Sequence, residues 1–190
     1  MEAVLIAAPT EKGYAALAQA LTACAGKLPC VWAPSGAQAR RCMAENDWGL
    51  VIVSAPLPDE TGAELAQHAC AQTGAGVLLL AKAELAEALP NAVTGAGALI
   101  LKKPLERTGF YGAVRLALAT HRRIDALERE NRKLRTRLED LRLISRAKCV
   151  LIECCGMTEP EAHAYIEKRA MDTRQTRRDV ARELLESAPP

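Results

Sequence analysis

HRRIDALERENRKLRTRLEDLRLISRAKCVLIECC, residues 121–155, contains neither Pro nor Gly and is rich in Leu, Arg and Glu, all good helix formers. Ile124, Leu127, Asn131, Leu134, Leu138 and Leu141 fall on alternating three- and four-residue steps. That is a heptad, with Ile124, Asn131 and Leu138 at a and Leu127, Leu134 and Leu141 at d. So narrow a seam on a charged helix needs a second helix to cover it, and the same helix from a second copy is the simplest cover. Asn131 at an a position pairs best with its own twin in a parallel dimer, which fixes register and strand number at some cost in stability. In that dimer each g residue faces the e residue five further on in the partner. Arg123 meets Glu128 and Glu130 meets Arg135, both favourable, whereas Arg137 meets Arg142, which is not. Only three heptads are visible, so a lone amphipathic helix packed on its own domain is the alternative.

Working outward, 190 residues fit one or two domains. Hydrophobic content of 49% is ample for a core, but aromatics are only 3%, so that core must be built from Ala, Leu, Val and Ile. Charge is unevenly divided. Residues 1–120 hold 9 Lys and Arg against 10 Asp and Glu, a net of −1, while residues 121–190 hold 16 against 13, a net of +3. Arg132, Lys133, Arg135, Arg137, Arg142, Arg146 and Lys148 are set against only Glu139 and Asp140. Such a run is either a solvated helix face or the footprint of a polyanion partner. Seven Cys is an odd count, they sit inside apolar runs, and neither a signal peptide nor a long apolar span is present. A reduced, cytoplasmic protein without membrane association is expected. No C-x-x-C pair or His cluster has zinc spacing, so no metal and no cofactor are expected. The final Ser-Ala-Pro-Pro reads as a frayed tail.

The first 120 residues alternate short apolar runs with helical patterns. Strands are expected at residues 3–8, 30–33, 50–54, 77–81 and 98–102. Helices are expected at 14–25, from a Ser35 cap to 45, and at 63–73. Continuous apolar strands between helices mean a parallel sheet covered on both faces, and five of them fit the flavodoxin-like, doubly wound order. Ligands of such sheets bind at the carboxyl ends of the strands. There, Ser54, Pro58 and Gly62 form S-x-x-x-P-x-x-x-G after the third strand, and Lys103-Pro104 follows the fifth.

This layout, from residue 1 to about 118, resembles a bacterial response-regulator receiver domain. The resemblance implies a phosphoacceptor Asp where Ser54 stands, two acids after the first strand for Mg²⁺, and a Ser or Thr where Ala81 stands. The segment after strand one is Ala7-Ala8-Pro9-Thr10-Glu11, with one displaced acid. Of the working set only Lys103 is retained. A pseudo-receiver is therefore expected, with no phosphoacceptor and no aspartyl phosphorylation. Asp59 lies too far along the loop to substitute. Ser54 has no His near it in pattern to make it a nucleophile, because His68 falls on a helix. Such a domain serves as a docking or dimerisation module, with a regulatory protein or small ligand as its input.

The last receiver helix starts near residue 108 or 110, and no breaker after Gly112 separates it from the heptad. One helix from 110 to 155 is expected, with a break near Thr120-His121 as the alternative. Gly156 supplies a stop, and Thr158 with Glu161 forms a capping box around Pro160. A second helix runs to about Met171. Asp172 or Thr173 precedes a third, which holds Val180, Ala181, Leu184 and Leu185.

Across this tail, R-A-K-x-x-L (Arg146, Ala147, Lys148, Leu151) is followed by G-M-T-E-x-E-A (Gly156, Met157, Thr158, Glu159, Glu161, Ala162). Next come Y-I-x-K-x-A-M-D-x-R (Tyr165, Ile166, Lys168, Ala170, Met171, Asp172, Arg174) and Val180-Ala181. These blocks resemble the ANTAR domain, the output domain of bacterial antitermination regulators. Cys149 departs from the Gly usual after the Ala-Lys pair. The resemblance implies a three-helix domain that binds paired stem-loops in nascent leader RNA and so keeps a terminator hairpin from forming.

RNA loops are read by stacking and hydrogen bonds to unstacked bases, with cations on phosphate. Lys148, Lys168, Arg169, Arg174, Arg177 and Arg178 are the candidate cations, and Ala170 and Met171 a small apolar contact surface. Tyr165 either stacks on a base or, at helical spacing, belongs to the core, as Leu151 and Met157 do. The expected organisation is a pseudo-receiver over 1–118, a coiled-coil linker over 119–143 and the three-helix domain over 144–187. A homodimer brings two heads to two hairpins. A DNA-binding response regulator and a coiled-coil adaptor without nucleic-acid binding are the rivals. An enzyme is not expected, because no acid–base or nucleophile–base pair can be assembled.

Overall fold

The computed structural model describes residues 3–88 and 95–187. Backbone packing divides the chain into two compact units, Met1–Leu127 and Glu128–Pro190.

In the first unit, strands β1 (Val4–Ala7), β2 (Cys30–Ala33), β3 (Leu50–Ser54), β4 (Gly76–Lys82) and β5 (Leu99–Lys103) form one parallel sheet in the order β2-β1-β3-β4-β5. Helices α1 (Glu11–Ala25), α2 (Gly36–Glu45), α3 (Ala63–Gln72) and α4 (Ala83–Ala88) connect them, and α5 (Arg107–Cys155) follows β5. The pleat explains the continuous apolar strands, because successive side chains serve opposite cores. Leu5, Val51, Val53, Val77 and Leu79 pack with Ala39 and Met43 of α2 and Leu65 and Ala69 of α3. Val4, Ile6, Leu50, Ile52, Leu78 and Leu80 pack with Leu17 and Leu21 of α1 and with Phe110, Val114 and Leu118 of α5.

Helix and sheet approach closely at Gly76, where a Cβ would lie 2.6 Å from the Ala117 carbonyl oxygen and 2.8 Å from the Ala117 Cβ. Backbone would have to move to admit it. Gly76→Ala is therefore expected to lower stability by about 1–3 kcal/mol, seen as a fall in the urea midpoint of the first unit.

Two local expectations are corrected. α1 begins at Glu11, three residues ahead of the apolar pattern. Thr10 caps it, its hydroxyl accepting from the Gly13 N–H at 3.1 Å, and a Gly in the first turn hid the start. α4 carries no apolar stripe long enough to read and was not expected. Ser35 caps α2 as expected, accepting from the Gln38 N–H at 3.3 Å.

The second unit is the end of α5 with α6 (Glu159–Thr173) and α7 (Arg177–Ser187). Its core is Ala147 and Leu151 from α5, Ala162, Ile166 and Ala170 from α6, and Val180 and Ala181 from α7. Gly156, at φ 67°, ends α5 in the left-handed region that favours glycine. Glu161 then reaches back over the start of α6, accepting from the Thr158 N–H at 2.8 Å and from its hydroxyl at 2.7 Å. These bonds hold the Glu161 carboxyl below its ordinary pKa.

α7 starts later than Asp172 or Thr173 would allow. Arg174, at φ 56° and ψ 33°, closes α6 in the left-handed conformation, and the Gln175 N–H reaches the Ala170 carbonyl at 3.0 Å. Thr176 opens α7 instead, accepting from the Asp179 N–H at 3.2 Å. Of the tail expected to fray, Ser187 is the last residue of α7, and residues 188–190 lie outside the described residues.

Candidate nucleic-acid interface

At the carboxyl end of the sheet, Ser54 is nearly buried and its Oγ accepts from the Lys103 Nζ at 2.9 Å. The same ammonium donates to the Ala55 carbonyl at 2.7 Å. Burial, with the Lys82 ammonium second, pushes the Lys103 pKa below the ordinary lysine value. Asp59 points to neither group. Its two carboxylate oxygens accept from the Gly36 and Ala37 N–H groups, each at 2.9 Å, so it caps the start of α2. Those bonds hold its pKa below the ordinary carboxylate range. Glu60 beside it makes a two-pronged ion pair with Arg40. On the β1 side, the Ala8 carbonyl accepts from the Trp32 indole N–H at 2.9 Å. Among the described residues no three His, Cys, Asp or Glu side chains are grouped to hold a metal ion.

The tail unit gathers its cations by a different logic. Lys148, Arg177 and Arg178 line one groove of about 780 Å³, joined by Arg137 and His163 and floored by Leu141 and Ile144. Arg177 also lines an adjoining hollow with Ala170 and Met171. Of the cations expected to contact nucleic acid, several already have an acid. Lys148 pairs with Glu159, Arg177 with Glu167 at 2.9 Å, and Arg169 lies 3.5 Å from Glu183. The Lys148 ammonium holds the Glu159 carboxyl below its ordinary pKa. Arg178 sits 2.9 Å from Asp140 Oδ1, but off the direction a hydrogen bond requires.

Lys168 and Arg174 differ: both are exposed, with no carboxylate partner among the described residues. Met171 is 72% exposed, whereas Ala170 is 8% exposed and belongs to the core. Tyr165 is 37% exposed and its hydroxyl accepts from Arg169 at 3.2 Å, so it stands at the surface and not in the core.

Sequence reading did not place Arg137 or His163 in this groove. His163 had no spacing to single it out. Arg137 was visible only as part of the basic run. That run is the most open cationic surface of the tail. Arg132, Lys133, Arg135, Arg137, Arg142 and Arg146 are exposed, and none has a carboxylate partner among the described residues. On the same helix Ile124, Leu127, Leu134, Leu138 and Leu141 are 40–64% exposed, and Asn131 is exposed among them.

Comparison with known proteins accounts for both units. The ANTAR domain family matches residues 132–185. The transcriptional regulatory protein PdtaR of Mycobacterium tuberculosis, strain CDC 1551 / Oshkosh, is 33% identical over 138 residues, 73% of this chain and 67% of that protein, and PdtaR of strain H37Rv matches equally. Among solved structures, the signal receiver domain of an HD domain-containing protein from Pseudomonas fluorescens Pf-5 superposes with a TM-score of 0.56 and 25% identity, over 68% of this chain and 92% of that one. A response regulator receiver domain protein from Clostridium thermocellum gives 0.53 and 18%, over 63% and 95%. Those two establish the fold of the first unit. Among the described residues no helix is long and apolar enough to cross a membrane. With its receiver-type sheet, its long α5 and its matched tail, the chain belongs to the ANTAR-domain response regulators and is a regulator of transcription.

Proposed function

We propose that the protein is a dimeric, non-enzymatic, cytoplasmic antiterminator that binds paired stem-loops in nascent leader RNA and prevents terminator formation, without aspartyl phosphorylation. The domains act as a pseudo-receiver over 1–118, a coiled-coil linker over 119–143 and an RNA-binding head over 144–187. The observation that carries this reading is the coincidence, over residues 132–185, of the ANTAR match with a run of exposed cations lacking internal acids. Phosphate contacts give affinity and salt dependence, and bases splayed from loops give specificity. Lys148, Lys168, Arg169, Arg174 and Arg177 are the proposed phosphate contacts, with the exposed Met171 as the apolar surface and Ala170, buried in the core, no longer part of it. Dimerisation through Ile124, Leu127, Asn131, Leu134, Leu138 and Leu141 gives each hairpin of a pair its own head. The exposure of those five apolar residues in the single chain supports it.

Control without phosphorylation is supported by Ser54 at the acceptor position and by Asp59 engaged in capping α2. Input is then a protein or small ligand at the pseudo-receiver. Incubation with acetyl phosphate is expected to leave no acid-labile phosphoryl group; finding one contradicts this part of the reading.

The decisive experiment is recovery of transcripts from total cellular RNA on the purified full-length protein, followed by gel shifts. Enrichment of leader segments with two adjacent stem-loops supports the proposal. Tight, salt-sensitive binding to a duplex operator without hairpin binding favours a DNA-binding regulator. Lys168→Ala and Arg174→Ala are each expected to weaken RNA binding and to reduce the salt slope by about one. Unchanged affinity in both variants would remove these two residues from the interface, and a parent protein that binds neither RNA nor DNA would favour an adaptor without nucleic-acid binding.

A further inference from the structure

Resting on the reading that two copies pair through the α5 heptad, we propose that the C-terminal end of the seam is a phosphate seat that exists only in the dimer. It is built from Arg137 of one subunit and Arg142 of the partner subunit, and it occurs twice by symmetry. RNA binding and self-association are thereby coupled through the charge of the seam itself.

The charge pattern along α5 sets this pair apart. The two upstream g–e pairs, Arg123 with Glu128 and Glu130 with Arg135, join opposite charges. At the next level, g and e are both arginines. Arg137 and Arg142 are exposed, and among the described residues no ion pair joins either arginine to an acid. The two acids nearest in sequence are Glu139 at b and Asp140 at c; neither pairs with Arg137 or Arg142, and Asp140 is engaged with Arg178. Arg146, one turn beyond Arg142 and also exposed, adds a further cation beside the seat.

Two guanidiniums brought together without an acid cost the dimer stability. A phosphate between them turns one repulsion into two attractions, each able to form the two-pronged Arg–phosphate bond. A ligand that binds the dimer and not the monomer stabilises the dimer, and the coupling is reciprocal. RNA therefore draws the protomers together, and paired protomers hold RNA more tightly. The seat reads phosphate alone, so it adds affinity and no sequence preference.

Arg142→Glu in the full-length chain tests this, with a synthetic RNA carrying two stem-loops as probe. The substitution places Glu opposite Arg137 in both halves of the seam. Without RNA, sedimentation equilibrium should show self-association tightened by about fivefold. RNA affinity should fall about tenfold, the salt slope should drop by about two, and RNA should cease to tighten the dimer. The double variant Arg137→Glu with Arg142→Glu restores like charges, and should associate weakly with or without RNA. An Arg142→Glu protein that associates less tightly than the parent, or one that retains the parent's RNA affinity and RNA-linked association, overturns the seat while leaving dimeric RNA binding intact. A parent protein that stays monomeric with saturating RNA overturns the seat and the pairing together.

Discussion

A chain carrying Leu134→Asp and Leu138→Asp should sediment as a monomer at concentrations where the parent is dimeric. The two leucines are 50% and 56% exposed in the single chain, so roughly half of each side chain is left for a second helix to cover. Fully burying a leucine is worth about 1.5–3 kcal/mol. Half of that at four leucines per dimer is about 3–6 kcal/mol, a rise of roughly two to four orders of magnitude in the dissociation constant. Four carboxylates facing one another at the seam add repulsion. The stability of the folded protomer should hardly change, because these side chains support no packing within it. Analytical ultracentrifugation alongside thermal denaturation measures both quantities. Persistence of a dimer would mean that the copies meet through another face and that the heptad is only a solvated stripe.

Ile166→Ala should have the largest effect on the head. Ile166 is 1% exposed at the centre of the tail core. Truncating a buried Ile costs about 2–5 kcal/mol. That core has only seven buried residues among those described, four of them alanines, so Ile166 is one of its few large fully buried side chains. Amides of α6 and α7 should lose most of their protection from hydrogen exchange while those of the sheet keep theirs. RNA affinity should fall with the tail, because its contact residues depend on α6 and α7 being docked. Native exchange rates in α6 would contradict this placement of the core.

The sheet was readable because its central strands are buried on both faces, so burial wrote itself into the sequence as unbroken apolar runs such as VLIA and LVIVS. The ends of elements were readable where a side chain had one evident task, as at Ser35, Gly156 and Glu161. They were not readable where the backbone acted against type. Arg174 occupies a left-handed conformation with no Gly or Asn to announce it, and this delayed α7 to Arg177.

The candidate interface was only partly legible for a further reason. A basic residue looks the same in sequence whether it is free or neutralised. The acids beside Lys148, Arg177 and Arg178 are 11, 10 and 38 residues away along the chain. Only folding distinguishes those three from Lys168 and Arg174.

The ties at the carboxyl end of the sheet bear on how this chain could change over generations. Replacing Ser54 by Asp changes one side chain, yet that change alone would not free the surrounding groups. The Ala8 carbonyl anchors an indole, Thr10 and Asp59 hold helix ends in place, and the Lys103 ammonium is tethered to its neighbours. Gaining acceptor chemistry at this end of the sheet would therefore require these ties to be rearranged as well as Ser54 to be replaced.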